Sequence, residues 1–336
     1  MIPKVPEKNK LPGVCYALTD DGVELPIIDI TNPAFTEIAG PAQLAELSED
    51  YLRFQRWPAF LRRFFSSHSI AMRGLGSASG KFLGGMTTYV AKLTPKTLGK
   101  GYAGIIDRKV ASAVGSVSFR IRLQSMARLM ADGLAPLLEA RPGSPVRMLN
   151  IAGGPATDSL NALIVLHKEH PGLLDGRPIR IHVLDVDQAG PNFGQRALSA
   201  LLQQGAPLHA LDISFDATQF DWTQVSELEK IVRSYDPGEI MAGSSEGGLF
   251  EYGADATIQA NLDILQQRTT AGFFLVGSIM QDGPVTRSLH ATSSMSLRMF
   301  EPQAFEALVD SSAWCVERVL DGNPIYRVVR LQKDRK

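Results

Sequence analysis

Four segments hold residues whose types and spacing could do chemistry. The first is Asn150-Ile151-Ala152-Gly153-Gly154-Pro155-Ala156-Thr157-Asp158, a glycine-rich turn after an apolar strand. Such a turn lets a ligand approach the backbone, and amides at the start of the following helix then face it. The second is Leu184-Asp185-Val186-Asp187, about 31 residues beyond Gly154, a spacing that fits one helix, one loop and one strand. A carboxylate there has two acceptor oxygens and suits the vicinal diol of a nucleoside; Asp185 is the first choice and Asp187 the second. The third is Asp212-Ile213-Ser214-Phe215-Asp216-Ala217, where Phe215 offers a face for a planar base. The fourth, Ala242 to Gly253, packs Ser244, Ser245, Glu246, Glu251 and Tyr252 among four glycines. Such density at the carboxyl end of a core strand marks where α/β enzymes keep their sites. The same residues also read as a capped loop, with Ser244 and Glu246 on backbone amides and Tyr252 in the core.

Beyond the fifth strand, Arg287, His290 and Arg298 fall in what reads as a long loop. His290 is a candidate general base, and the two arginines are candidate holders of a carboxylate or phosphate. Glu246, Tyr252 and His290 are therefore the candidate catalytic residues. Ser245, Glu251, Arg287 and Arg298 are the candidate substrate contacts. No metal site is expected. Among the six histidines only His167 and His170 are close in sequence, and they stand at a helix end before Pro171-Gly172, where they complement the helix dipole.

These segments need a scaffold, and the pattern supplies one. After Arg141-Pro142-Gly143-Ser144-Pro145, apolar strands (147–151, 179–184, 208–213, 239–242, 272–277) alternate with amphipathic helices (158–167, 193–204, 225–235, 254–268, 302–310). That alternation predicts a parallel sheet covered on both faces, a three-layer α/β sandwich. The last two strands, 314–320 and 325–331, are joined by four residues and must be antiparallel. The linker places a boundary between a mainly helical cap or substrate domain, 1–145, and a ligand-binding domain, 146–336. Within the first part, 120–138 is a clear amphipathic helix. Residues 70–105 are rich in glycine and read either as a mobile lid or as helices packed closely at their glycines.

In outline, residues 146–331 resemble the class I S-adenosylmethionine (SAM)-dependent methyltransferases. Gly154-Pro155 matches their first motif, with Asn150 at its acid and Ala152 and Ala156 at its outer glycines. The resemblance implies a Rossmann-like, seven-stranded sheet with an antiparallel C-terminal hairpin. It implies SAM held by Asn150, Ala152, Gly153, Gly154, Asp185 or Asp187, Phe215, Asp216 and Ser244, with Asp185 on the ribose and Asp216-Ala217 at the adenine amino group. S-adenosylhomocysteine (SAH) is then the product. The segment from Glu246 to Tyr252 is similar to the Glu-Gly-x-x-x-Tyr region of leucine carboxyl methyltransferase-like enzymes, with one more residue before the tyrosine. A nicotinamide-dependent oxidoreductase is the alternative, although the turn lacks Gly-x-Gly-x-x-Gly. A non-catalytic protein that keeps the fold is the other.

Composition bounds these readings. Met1 to Lys10 has no apolar core for a signal peptide, and no apolar run approaches the roughly 20 residues that span a bilayer. Cys15 and Cys315 form no disulfide framework, so a reducing cytoplasm is expected. Net charge is −1, yet residues 51–150 carry 16 Lys and Arg against 3 acids. Either that stretch complements acidic neighbours within the chain, or it meets an anionic partner. A small, possibly anionic metabolite is the expected substrate, with an acidic acyl carrier protein as a further partner. Nucleic acid is not expected, since no recognition module is present. A homodimer fits the length and composition.

Overall fold

The computed structural model describes residues 10–61, 83–98, 104–292 and 297–334. Much of the glycine-rich 70–105 stretch therefore lies outside the described residues. Strands β1 (Tyr16–Leu18) and β2 (Glu24–Pro26) form a small hairpin. Helices α1 (Pro41–Gln55), α2 (Gly85–Ala91), α3 (Ile105–Ser112) and α4 (Val114–Ala140) follow. The large sheet then begins with β3 (Val146–Ile151), β4 (Ile179–Asp185), β5 (Ile213–Gln219), β6 (Ile240–Ser245) and β7 (Phe274–Gln281). Between these strands run α5 (Thr157–Glu169), α6 (Ala189–Leu201), α7 (Val225–Arg233), the short α8 (Leu249–Tyr252) and α9 (Asp255–Arg268). The chain closes with α10 (Pro284–Thr292), β8 (Met299–Phe300), α11 (Pro302–Asp310), β9 (Trp314–Leu320) and β10 (Tyr326–Lys333).

The strand order is β5-β4-β3-β6-β7-β10-β9, with the two-residue β8 added beside the end of β7. Pairs among β3 to β7 are parallel, whereas β10 is antiparallel to both β7 and β9. The short β9–β10 connection forces that reversal. Side chains alternate cleanly between two cores. Met148, Val276 and Val328 point to the face covered by α4, α5 and α6, while Leu149, Leu275 and Val329 point to the face of α7, α9 and α11. Burial on both faces is why these strands read as continuous apolar runs.

The linker 141–145 does not separate two cores. One cluster runs from Ala17 through Tyr89 and α4 into Met148 and Val328. Helix α4 is itself part of the helical layer: a Cβ at Gly133 would sit 2.6 Å from the Phe274 ring of β7, and Arg330 of β10 donates to Leu129 O. The N-terminal segment is tied down by polar side chains. The Tyr89 hydroxyl donates to Pro26 O at 2.8 Å and accepts from Ile28 N at 3.1 Å. Asn161 of α5 brackets Ile28 and Ile30 in the same way.

Three boundaries differ from the sequence expectation, each for a local reason. The third strand is 213–219, not 208–213, because Ala210 takes a left-handed φ of 67° and turns the chain. The inside-outside alternation begins only at Ile213. The fourth strand extends to Ser245, so both serines lie in a fully buried strand. The loop expected after the fifth strand winds into α10 instead.

Candidate active site

In an open α/β sheet, ligands bind beyond the carboxyl ends of the strands where the order reverses. Here that point lies between β3 and β6, since β3 leads outward to β4 and β5, while β6 starts the other half. The turn after β3 is tight. Ala152, Gly154 and Ala156 all have φ between 50° and 55°. For alanine this conformation costs about 1–2 kcal/mol relative to ordinary helix geometry. Gly153 is fixed by a different need: a Cβ there would collide with the Asn150 side-chain oxygen. The Asn150 amide nitrogen donates to Asp158 Oδ1 at 2.7 Å and to Ser159 Oγ at 3.2 Å. Its oxygen, like Thr157 Oγ1, is buried without a hydrogen-bond partner among the described residues.

Asp185 ends β4 and is 8% exposed. Its Oδ2 accepts from Gly154 N at 2.8 Å and its Oδ1 from Asp187 N at 2.9 Å. Burial pushes its carboxyl above the usual range, against the pull of those amides. Each oxygen keeps a second lone pair, so the acid retains the means to accept a diol. This acid beside the glycine turn fits the diol of a nucleoside ligand such as SAM.

A charged cluster, absent from the sequence reading as a group, fills the space beyond β6 and β7. Arg122 of α4, 1% exposed, donates from Nε to Glu246 at 3.2 Å and from Nη1 to Glu251 at 2.9 Å. Its guanidinium lies over the adjacent rings of Phe119 and Tyr326, 4.8 and 4.4 Å from their centroids. Lys92 donates to the other Glu246 oxygen at 2.8 Å. Glu251 also accepts from Ser278 Oγ at 2.7 Å, and that hydroxyl accepts from Gly247 N at 3.0 Å. Gly247 has φ 69°, and a Cβ there would come within 2.9 Å of the guanidinium. Thus one arginine shapes the whole β6–α8 loop.

Charge in this cluster is set by burial and pairing. Burial favours the neutral acid at Glu246, but Lys92 and Arg122 overcome it and hold the carboxyl below its ordinary range. At Glu251 burial prevails over Arg122 and Ser278, and the carboxyl is raised. Asp158 is raised by burial and by Glu246, opposed by Ser244, the Ser159 amide and Lys92. Burial lowers Lys92, with Glu246 opposing. Burial and Glu251 push the Tyr252 phenol up, so it stays protonated at neutral pH.

The expected residues do not all gather here. Asn150, Ala152, Gly153, Gly154, Asp185, Asp187, Ser244, Ser245, Glu246, Glu251 and Tyr252 lie at the carboxyl ends of β3, β4 and β6. Ser245 is spent locally, accepting from Leu249 N at 3.0 Å. Phe215 and Asp216 sit inside β5 rather than past its end. Phe215 is buried in the core against Gly194 and is closed to a stacking base. Asp216 is exposed in mid-strand, opposite His182. The positions that reach the edge beyond β5 are Phe220 and Asp221. His290 is exposed on α10, and Arg287 is exposed there and paired with Asp282. Arg298 pairs with Asp255 and stacks on Phe300. Five cations of the basic stretch are engaged within the chain, through Arg120–Glu37, Arg128–Glu169 and Arg147–Glu239 as well as Lys92 and Arg122, while Arg62, Arg63, Arg73, Lys81 and Lys100 lie outside the described residues. Among the described residues no group of acids, histidines and cysteines has the arrangement of a metal site.

No family model and no curated protein matches the chain. Among solved structures, a possible exported protein from Bordetella parapertussis is similar with a TM-score of 0.58 and 16% identity, over 90% of this chain and 99% of that one. The magnesium protoporphyrin IX methyltransferase of Synechocystis PCC 6803, with bound SAH, gives a TM-score of 0.43 and 11% identity, over 66% of this chain and 87% of that one. Human N-acetylserotonin methyltransferase, in complex with SAM, gives 0.36 and 16%, over 67% of this chain and 58% of that one. With β10 inserted antiparallel between β7 and β9, the chain has a three-layer, Rossmann-like α/β fold.

Proposed function

We propose that this chain binds SAM across the 152–154 turn and Asp185, and transfers its methyl group to a small molecule. The observation that carries this reading is the meeting of the left-handed turn, the Asp185 carboxylate and the Glu246 loop at the switch point of the sheet. SAM supplies an electrophilic methyl on a sulfonium. The residues of the chain supply position. Asp185 takes the ribose hydroxyls, the glycines of the turn let the ligand approach the backbone, and Glu246 stays ionised beside Lys92 and Arg122. Among the described candidates no free base faces the edge: Glu246 is paired with two cations and Tyr252 keeps its proton. Acceleration then rests on alignment, and the acceptor is a group that needs no enzymic base, such as a neutral amine. An anionic substrate or an acidic carrier protein would have to meet cations of the 51–150 stretch other than Lys92, Arg120, Arg122, Arg128 and Arg147, which are paired within the chain. We place the protein in the cytoplasm, since Cys15 and Cys315 are free thiols. No helix among the described residues is long and apolar enough to cross a membrane.

One observation favours a second reading, a binding protein that keeps the fold without turnover: the acids of the β6 loop are all engaged by the chain's own cations. Calorimetric titration with SAM, SAH and NADH, on the native chain and on Asp185→Asn, tests both. Micromolar binding of the adenosyl compounds, weakened at least about tenfold in the variant, is expected; that factor corresponds to about 1.4 kcal/mol. Binding of NADH alone, or of no adenosyl compound, overturns the proposal. Adenosyl binding with no methyl transfer to any of a panel of amines favours the second reading.

A further inference from the structure

Gly85 opens helix α2 with no left-handed φ, so its backbone conformation does not require glycine. Contact requires it. A Cβ at Gly85 would lie 2.8 Å from Gly154 Cα and 3.4 Å from Pro155 Cδ. Gly190, at the start of α6, meets the same Gly154 from another side, at 2.8 Å. The open backbone that Gly154 offers is therefore taken by two other stretches of the same chain. Just past the other end of α2, Lys92 places its ammonium on Glu246 with only 6% of its side chain exposed. One seven-residue helix thus covers the ligand-facing turn with its first residue and neutralises the acid of the β6 loop through the residue after its last.

Met86 and Val90 face a groove of about 330 Å³, bounded by Thr19, Asp21 and Val23 of the β1–β2 hairpin and by Ala189. Beside it the buried Tyr89 hydrogen-bonds Pro26 and Ile28 and packs its ring against Phe193. A buried ion pair adds little stability compared with an apolar pair of the same volume, but it specifies one docked position. It is also a contact that a ligand bringing its own ammonium can replace.

We propose that α2 is an internal occupant of the site: Gly85 fills the place over Gly154, Lys92 stands in for a ligand's cationic group at Glu246, and a nucleoside ligand enters when this helix withdraws. The inference rests on the nucleoside reading of the turn and adds to it a competition between ligand and chain. Apparent affinity is then reduced by the fraction of molecules in which α2 is docked.

The test uses SAH as probe on two variants that strike opposite ends of the helix. Lys92→Met removes the ion pair and keeps the side-chain length. Gly85→Ala drives a Cβ against Gly154 without touching any charge. Both are expected to bind SAH at least about fivefold more tightly than the native chain, and to exchange amide hydrogens faster over residues 86–93 without ligand. SAH added to the native chain should speed exchange at 86–93 and slow it at 152–154. Equal or weaker SAH binding by both variants overturns the inference and leaves the cofactor reading intact, because α2 then belongs to the liganded form. Absence of SAH binding in all three proteins removes the cofactor reading. Exchange then decides whether α2 is separable, and unchanged exchange over 86–93 in both variants overturns the inference as well.

Discussion

At the scale of single residues, the turn after β3 is governed by what its glycines touch. Gly153 is glycine because the Asn150 side chain lies where its Cβ would be. Gly153→Ala must therefore expel Asn150 from its bonds to Asp158 and Ser159, at a cost of about 2–4 kcal/mol, from overpacking plus a broken buried polar network. The cost is specific to that partner. In an Asn150→Ala background the same change should cost much less, and the double-mutant cycle should show a coupling of at least about 1 kcal/mol. Urea denaturation of the four proteins measures it, and additive effects of the two changes would contradict the geometry. The turn itself is legible in the sequence, since Gly153-Gly154-Pro155 after an apolar strand has few other readings. Its neighbours are not. That Gly154 faces Gly85 and Gly190 depends on approaches across 69 and 36 positions of sequence, and no local pattern encodes them.

At the scale of elements, α4 shows why part of the site escapes a sequence reading. Its apolar spacing announces a helix and its buried side, and the structure extends it to 27 residues. Nothing in that spacing separates Arg122 from an arginine that buries its stem and keeps its head in water. Its acids lie 124 and 129 residues further on. The strands show a related limit. The apolar run at 208–213 imitates a strand, because Leu208 and Leu211 are buried as turn residues beside Ala210. The half-buried alternation of Ile213 to Gln219 is a weaker signal in composition, and it moves the expected adenine contact from Phe215-Asp216 into mid-strand. The arginine's role has a measurable consequence. Arg122→Met leaves Glu251 with Ser278 alone and Glu246 with Lys92 alone, and should cost about 3–5 kcal/mol, the usual penalty for an uncompensated buried charge. Arg122→Met combined with Glu251→Gln should recover part of that loss. A single variant losing less than about 1 kcal/mol in urea would show that the cluster does not hold the β6–α8 loop.

At the scale of the whole molecule, stability should carry the signature of a histidine kept neutral on the strand next to the sheet's edge. His182 on β4 is held from two sides: Nδ1 meets the Tyr235 hydroxyl beyond α7 at 2.7 Å, and Nε2 meets Thr218 Oγ1 on β5 at 2.8 Å. Burial depresses its pKa below the ordinary imidazole value of about 6.5. Asp216 on β5 pulls it upward and Arg147 on β3 pushes it down. Arg147 is itself engaged by Glu239, which Arg180 of β4 also approaches. Both hydroxyl partners can turn to accept from an imidazolium, so the penalty for protonation lies in burying charge beside Arg147 rather than in losing hydrogen bonds. With its folded pKa below its unfolded one, His182 binds its proton first in the unfolded chain. Its contribution is fully present above about pH 6.5 and declines as pH falls below that value toward the folded pKa. His182→Gln keeps a polar side chain there and removes the titration. Urea midpoints at pH 7.5 and 5.5 should then differ less in the variant than in the native chain. An identical loss of stability in both proteins between the two pH values would place the acid sensitivity at another group and overturn its assignment to His182.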